Sequence, residues 1–211
     1  MTKASTDRFR TASGGSWPYP LLAERLAPSP PGWLSAVTAD LDAFLSDHAS
    51  CEKKASGMAL AVASHYPDKP ALLSAMADLA VEELVHYREV LRLLLARGQH
   101  PRPDRKDPYI NTLHNQLRRG SRWFLLDRLL IAAIVEARGF ERFGLLANGL
   151  SEASLAAFYR RITASENRHW QLFLDLAAEY FPTPEIEQRL ETLVAVEAEA
   201  MIAQPLGPHL H

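Results

Sequence analysis

A single cysteine, Cys51, occurs in the 211 residues. That scarcity excludes a disulfide framework within the chain and any cysteine-rich zinc or rubredoxin-type site, and a reducing cytoplasm is the compartment that fits. Long apolar runs are missing too. No stretch of about eighteen uncharged apolar residues is available to cross a bilayer, and the first thirty residues lack the short apolar core of a signal peptide. A cytoplasmic protein without a membrane role is expected. Charge of one sign is not in excess: the formal net charge is -2, so no bulk basicity marks a nucleic-acid binder, although charge can be segregated locally. The period-two alternation of a half-buried strand occurs nowhere. What remains is a chain long enough for one sizeable core, with 47% apolar residues, an ordinary share for a globular domain.

Prolines and glycines divide that chain. The N-terminal WPYPLLAERLAPSPPGW is proline-rich and aperiodic and reads as an irregular arm over residues 1–33, packed on the body, with a short helix at Leu21 to Leu26. From Leu34 to about His65, the residues Leu41, Phe44, Leu45, His48, Glu52, Ala55, Ala59 and Val62 recur at the spacing of one helical face. Pro67 stops that helix. Pro70 opens a second, with Leu72, Met76, Leu79, Glu83, His86, Val90 and Leu93 on one face, and Gly98 ends it. The two form a helical hairpin. After the connection GQHPRPDRKDPYINTLHNQLRRGSR, a third helix runs from about Arg122 to Ala147 on a stripe of Leu125, Leu129, Ala132, Glu136, Phe140 and Phe143. A fourth, from about Glu152 to Tyr180, carries Leu155, Tyr159, Ile162, Glu166, His169, Phe173 and Leu176. Pro182 and Pro184 separate it from a fifth helix, from about Glu185 to Ala203. The chain is expected to be all-α, with one bundle spanning 34–211.

Polar residues on those apolar stripes carry the chemistry. Glu52, Glu83 with His86, Glu136, and Glu166 with His169 sit one set to a helix. Residues three apart on a helix project to one side, so each Glu-x-x-His pair presents two ligand heads to the same point in the core. Fewer than one such pair is expected by chance in a chain of this composition, and here there are two, each preceded by an apolar-face Glu one helix earlier. The intervals from Glu52 to Glu83 and from Glu136 to Glu166 are nearly equal, as in the halves of an old duplication. Four carboxylates buried together would repel one another into protonation or unfolding unless cations neutralised them. Two divalent metals meet that need. Carboxylate oxygen with imidazole nitrogen and no thiolate suits iron or manganese better than structural zinc.

Other polar residues read differently. His48, one turn before Glu52, is expected to be a satisfied core histidine, the alternative being a metal ligand or an outer partner of the site. Glu82, Glu89 and Glu141 point off the stripes as surface charges, with Arg138 and Glu141 a local ion pair. Tyr87 and Tyr159 could approach the metals but are expected simply to pack with their hydroxyls paired, and His209 and His211, in the tail PLGPHLH, are expected to carry no specific role. Gly139, one turn past Glu136, leaves room for a small molecule or for close helix packing. Between Gly98 and Arg122, the cations Arg102, Arg105, Lys106, Arg118, Arg119 and Arg122 stand against only Asp104 and Asp107. Such a patch favours phosphates, or else simply solvates a loop. Tyr109 and His114 in the same stretch could stack on an unpaired base.

The ligand set is similar to that of the ferritin-like di-iron four-helix bundles. The segments LSDHASCEKKASGMAL, LAVEELVHYREVL, LLDRLLIAAIVEARGFERF and FYRRITASENRHW together resemble one branch, the tRNA 2-methylthio-N6-isopentenyladenosine hydroxylases of the MiaE family, over about residues 34 to 203. The resemblance implies a ferritin-like bundle with an extra C-terminal helix. It implies also O2-dependent hydroxylation of the isopentenyl side chain on a tRNA adenosine beside the anticodon, with Glu52, Glu83, His86, Glu136, Glu166 and His169 holding two iron ions. No flavin or nicotinamide signature is visible, so electrons are expected from an external donor protein. The tRNA anticodon arm is the expected partner, and a monomer or weak homodimer the expected assembly. A di-iron hydroxylase of a small apolar or quinone-type substrate, a manganese catalase and a metal-storage bundle share much of this ligand set. Liposome binding, metal analysis and a peroxide assay separate them.

Overall fold

The computed structural model describes residues 22–211; the part of the expected arm before Leu22 lies outside the described residues. Among those described, every regular element is helical. In chain order they are α1 (Leu22–Arg25), α2 (Trp33–Ala39), α3 (Leu41–His65), α4 (Pro70–Ala96), α5 (Pro108–His114), α6 (Ser121–Gly149), α7 (Ala153–Tyr180) and α8 (Thr183–Ala203). Helices α3 with α4 and α6 with α7 pack as two hairpins, and α4 meets α7 across the bundle.

Local chemistry sets the boundaries. The expected continuous helix from Leu34 is in fact two, because Asp40 leaves helical geometry at φ −139° and its side chain caps α3, accepting from the Ala43 amide at 3.0 Å. Pro70 starts α4, where its missing N–H costs nothing. At the other end Gly98 has φ +73°, and the amides of Gly98 and Gln99 return to the Leu95 and Leu94 carbonyls. That left-handed residue closes the helix without a Cβ clash.

The connection between the hairpins is not the structureless loop expected. It contains α5, capped by Asp107, whose side chain accepts from the amides of Tyr109 and Ile110 at 2.9 and 3.2 Å, with Pro108 in the first turn. A seven-residue helix is too short for its periodicity to be read. The connection travels the length of α3: Arg97 pairs with Asp42 near one end, Asp104 takes Ser50 and Lys53 midway, and Tyr66 reaches Ser121 at the other end. Helix α6 therefore starts beside the end of α3 and returns antiparallel to it, reaching Leu34 at Gly149.

Two apolar clusters fill the interior. One gathers Ala59, Val62, Leu72, Leu79, Leu129, Ala133 and Phe173 with the inner faces of α5 and α8. The other gathers Trp33, Phe44, Leu45, Val90, Phe143 and Tyr159. On α3, α4 and α7 the charged stripe residues fall between the positions given to these two clusters, and on α6 Glu136 stands near the end of the first cluster's run, next to Ala137, so a polar layer lies where the two clusters meet.

Candidate metal centre

Glu52 comes from α3, Glu83 and His86 from α4, Glu136 from α6, and Glu166 and His169 from α7, and all six are buried. Their ligand atoms form two overlapping groups, Glu52, Glu83, His86 and Glu166 in one and Glu83, Glu136, Glu166 and His169 in the other, each with one atom per residue within 4.8 Å of the rest. Glu83 and Glu166 belong to both. His86 Nδ1 lies 3.2 Å from Glu83, 3.8 Å from Glu52 and 3.9 Å from Glu166. His169 Nδ1 lies 2.9 Å from Glu83, 3.4 Å from Glu166 and 3.9 Å from Glu136. The spacing rule thus brings all six named residues to one layer, where two antiparallel hairpins face each other.

The cluster is electrostatically incomplete by itself. Burial and the neighbouring Glu83 push the Glu52 carboxyl well above the usual range, and burial with Glu166 does the same to Glu136. Burial alone would keep His86 uncharged, but Glu52 and Glu83 outweigh it and push the imidazole up to about 10. Burial is overcome at His169 too, by Glu166 and Glu83. Glu83 moves the other way, because His169 and His86 outweigh its burial. Protons on both imidazoles and on two carboxylates therefore take the places where positive charge is needed. Even so, Glu83 Oε1, Glu166 Oε1 and both ring nitrogens of His169 have no hydrogen-bond partner among the described residues. These buried atoms converge without pairing with one another, which is the arrangement a shared cation would satisfy. An oxygen-rich set with two imidazoles fits divalent iron or manganese there.

Around this layer the structure corrects several readings of the sequence. His48 is an outer partner: its Nε2 is 2.6 Å from Glu52 Oε1 and its Nδ1 is 3.2 Å from the Tyr159 hydroxyl, while burial lowers its pKa to about 3. Tyr159 is thereby connected to Glu52 through one ring. Glu82 is not a free surface charge, since its Oε2 lies 3.3 Å from His169 Nε2. Glu141 is held by the Ser29 amide and hydroxyl as well as by Arg138. Arg138 itself is fully buried, donating to Glu197 at 2.8 Å and to the Ala27 carbonyl at 2.8 Å. Glu89 behaves as expected, in an exposed pair with Arg161. At Gly139 a Cβ would meet Phe143 at 3.6 Å and Glu166 at 3.9 Å, so the glycine keeps a small space against a ligand candidate.

The C-terminal tail is engaged rather than idle. Leu210 is buried, its amide donating to Asp47 at 2.8 Å and its carbonyl accepting from Arg142. The His209 carbonyl accepts from Trp33, and the His211 ring stacks on Tyr109 with centroids 5.0 Å apart. Tyr109 cannot stack on a base as expected, because it is buried and its hydroxyl donates to Glu197 at 3.0 Å.

A cavity of about 380 Å³ opens beside the layer. Its rim holds the exposed Lys54, Arg105, Lys106 and His114, its wall the apolar Met58, Ile131, Ala132 and Val135, and Glu136 is part of its lining. The six cations of the connection are thus unequal. Arg118 is bound bidentately to the buried Asp127, Arg122 pairs with Glu185 and Arg102 lies 3.7 Å from Asp40. Arg105, Lys106 and Arg119 have no carboxylate partner among the described residues.

A family model described as tRNA-(MS[2]IO[6]A)-hydroxylase (MiaE) matches residues 22–211. The chain is 38% identical over 172 residues to the tRNA 2-(methylsulfanyl)-N(6)-isopentenyladenosine(37) hydroxylase of Pseudomonas putida, covering 82% of this chain and 83% of that one. A protein of the same name from Salmonella typhimurium is 32% identical over 132 residues, 63% of this chain and 48% of its own. Among solved structures, Protein 43 with aldehyde deformylating oxygenase activity from Synechococcus superposes with a TM-score of 0.84 at 36% identity, covering 88% of this chain and 94% of that chain. The expected ferritin-like helical bundle is the fold these likenesses share with the described residues.

Proposed function

We propose, because this chain belongs to the MiaE family of tRNA hydroxylases, that it hydroxylates the isopentenyl side chain of 2-methylthio-N6-isopentenyladenosine in tRNA. The observation that carries the reading is the cavity: the exposed cations Lys54, Arg105 and Lys106 line it together with Asp107, apolar side chains form its wall, and Glu136 is part of its lining. A substrate with phosphates at one end and a five-carbon apolar chain at the other matches that lining. The volume of about 380 Å³ falls within the range of small-molecule sites.

The six residues would hold two iron ions, Glu83 and Glu166 serving both because each belongs to both groups of ligand atoms. Bound there, an iron pair would supply the O2 activation that hydroxylating a C–H bond of the isopentenyl group requires, with two electrons from a donor protein. The balance is substrate, O2, two electrons and two protons giving the alcohol and water. The chain's own contribution is positional. Lys54, Arg105 and Lys106 hold phosphates at the rim. His114, also on the rim, offers a ring to an unpaired base. Met58, Ile131, Ala132 and Val135 exclude water and direct the isopentenyl group towards Glu136, and His48 fixes the orientation of Glu52. No described helix is long and apolar enough to cross a membrane.

The test supplies iron-loaded protein with O2, a reductant and tRNA bearing the modification, and follows the digested nucleosides by mass spectrometry. The modified adenosine should gain one oxygen atom, derived from labelled O2. Unchanged tRNA alongside turnover of a long-chain aldehyde would contradict the proposal and favour a small apolar substrate.

A further inference from the structure

Among the described residues, Glu82 is the one carboxylate outside the six that comes within 4.0 Å of their imidazoles, and it approaches a nitrogen the others leave alone. Its Oε2 is 3.3 Å from His169 Nε2, whereas Glu83, Glu166 and Glu136 all face Nδ1 of the same ring. Glu82 is itself fixed from α7. Its Oε1 accepts from the Ser165 hydroxyl and from Arg168, and Arg168 also donates to Ser165 at 2.9 Å. The two residues that flank Glu166 and His169 on α7 thus tie down the residue before Glu83 on α4. His86 has no equivalent support: its carboxylate contacts all run to Nδ1, with none at Nε2 among the described residues.

We propose that Glu82 is a positioning residue of the metal centre, accepting the Nε2–H of His169 and thereby keeping the ring in the tautomer whose Nδ1 lone pair faces Glu83, Glu136 and Glu166. The inference rests on the reading of the six residues as a two-metal site. An imidazole that ligates through one nitrogen needs its proton on the other, and a carboxylate that accepts that proton fixes the ring's rotation and raises its basicity. The side chain of Glu82 is pinned by an arginine and a hydroxyl, so it can only accept. The Nε2 contact is within reach but not aligned, and such outer hydrogen bonds commonly tighten only when the site is filled. With support behind one histidine only, the two metals are held unequally, the one at His169 more firmly.

The test titrates metal-free protein with Co(II) alone and records metal affinity together with the exchangeable, paramagnetically shifted ring N–H resonances. Wild type takes up two equivalents and shows a slowly exchanging His169 N–H. Glu82→Ala weakens one equivalent by about 10–100-fold, the usual cost of losing such an outer partner, and its N–H signal disappears into fast exchange. Glu82→Gln retains an acceptor oxygen and restores most of both. Wild-type binding of both equivalents by Glu82→Ala, with the N–H resonance unchanged, overturns the proposal. A second measurement needs no variant: in zinc-loaded wild type, ¹⁵N shifts must place the His169 proton on Nε2, and a proton on Nδ1 overturns it equally. If wild type binds no Co(II) at all, the two-metal reading fails first and the inference falls with it.

Discussion

Individual buried charges here are stabilised by specific partners, and their removal has calculable consequences. Arg138 and Glu197 are both fully buried and pair at 2.8 Å, with the Tyr109 hydroxyl also on Glu197. Arg138→Met leaves Glu197 charged in an apolar setting and should lower the unfolding free energy by about 3–5 kcal/mol. Adding Glu197→Gln, which keeps an acceptor for Tyr109, should recover part of that loss in urea titrations; no recovery would show that Arg138 acts through packing instead. Asp127 supplies a pH prediction. Burial raises its pKa, but hydrogen bonds from Arg118 and Arg189 outweigh this and hold the carboxyl below the usual range. Its contribution to stability is therefore complete above the ordinary carboxylate pKa of about 3.9 and is lost as the pH falls through the lower folded value. Wild type should exceed Asp127→Asn in stability at pH 6, and the gap should close only below about pH 4. A gap that closed near neutrality would assign it to another group. At the centre itself, His169→Ala removes one nitrogen and should lose at least one metal equivalent; retention of two with full turnover would remove His169 from the ligand set.

At the level of elements, helical periodicity carried the long helices and the six-residue layer, because both depend on residues three and four apart on one face. It failed where the decisive contact lies between helices. Glu82 was read as a surface charge since it leaves the α4 stripe, yet Ser165, Arg168 and His169 meet it from α7. Glu197 illustrates the opposite limit. It stands with Leu190, Leu193 and Ala200 on the buried face of α8, so the rule that selected Glu52 would have selected it too, although its partner is an arginine. Spacing identifies a buried carboxylate but does not say which cation neutralises it. The short α5 and the engaged tail escaped for a related reason, since both are held by side chains distant in sequence, such as Asp47 on Leu210. The cations of the connection divide by the same contacts. Arg105→Ala with Lys106→Ala should weaken tRNA binding and flatten its logarithmic salt dependence by about one unit per lost phosphate contact. Arg118→Ala should instead reduce stability, because Asp127 loses its partner. Equal effects on tRNA affinity from both sets would contradict this division.

For the whole molecule, two hairpins each bring two carboxylates and one imidazole into a buried layer whose charge is balanced either by protons or by bound cations. Metal binding should accordingly be folding energy in part. Fe(II) or Mn(II) added anaerobically should raise the melting temperature, and a chelator should reverse the rise; a melting temperature indifferent to metal would mean that the layer is stable on protons alone. The cavity then gives this layer its use, joining a cationic rim to the Glu136 side of the bundle. The most direct test of the central claim is the Mössbauer spectrum of protein loaded with ⁵⁷Fe and exposed to air, with iron counted per chain. The account predicts two irons per chain forming one spin-coupled pair, which disappears when Glu83 or Glu166, the residues shared by both ligand groups, is replaced by alanine. A single uncoupled iron, or a coupled pair that survives both replacements, would contradict it.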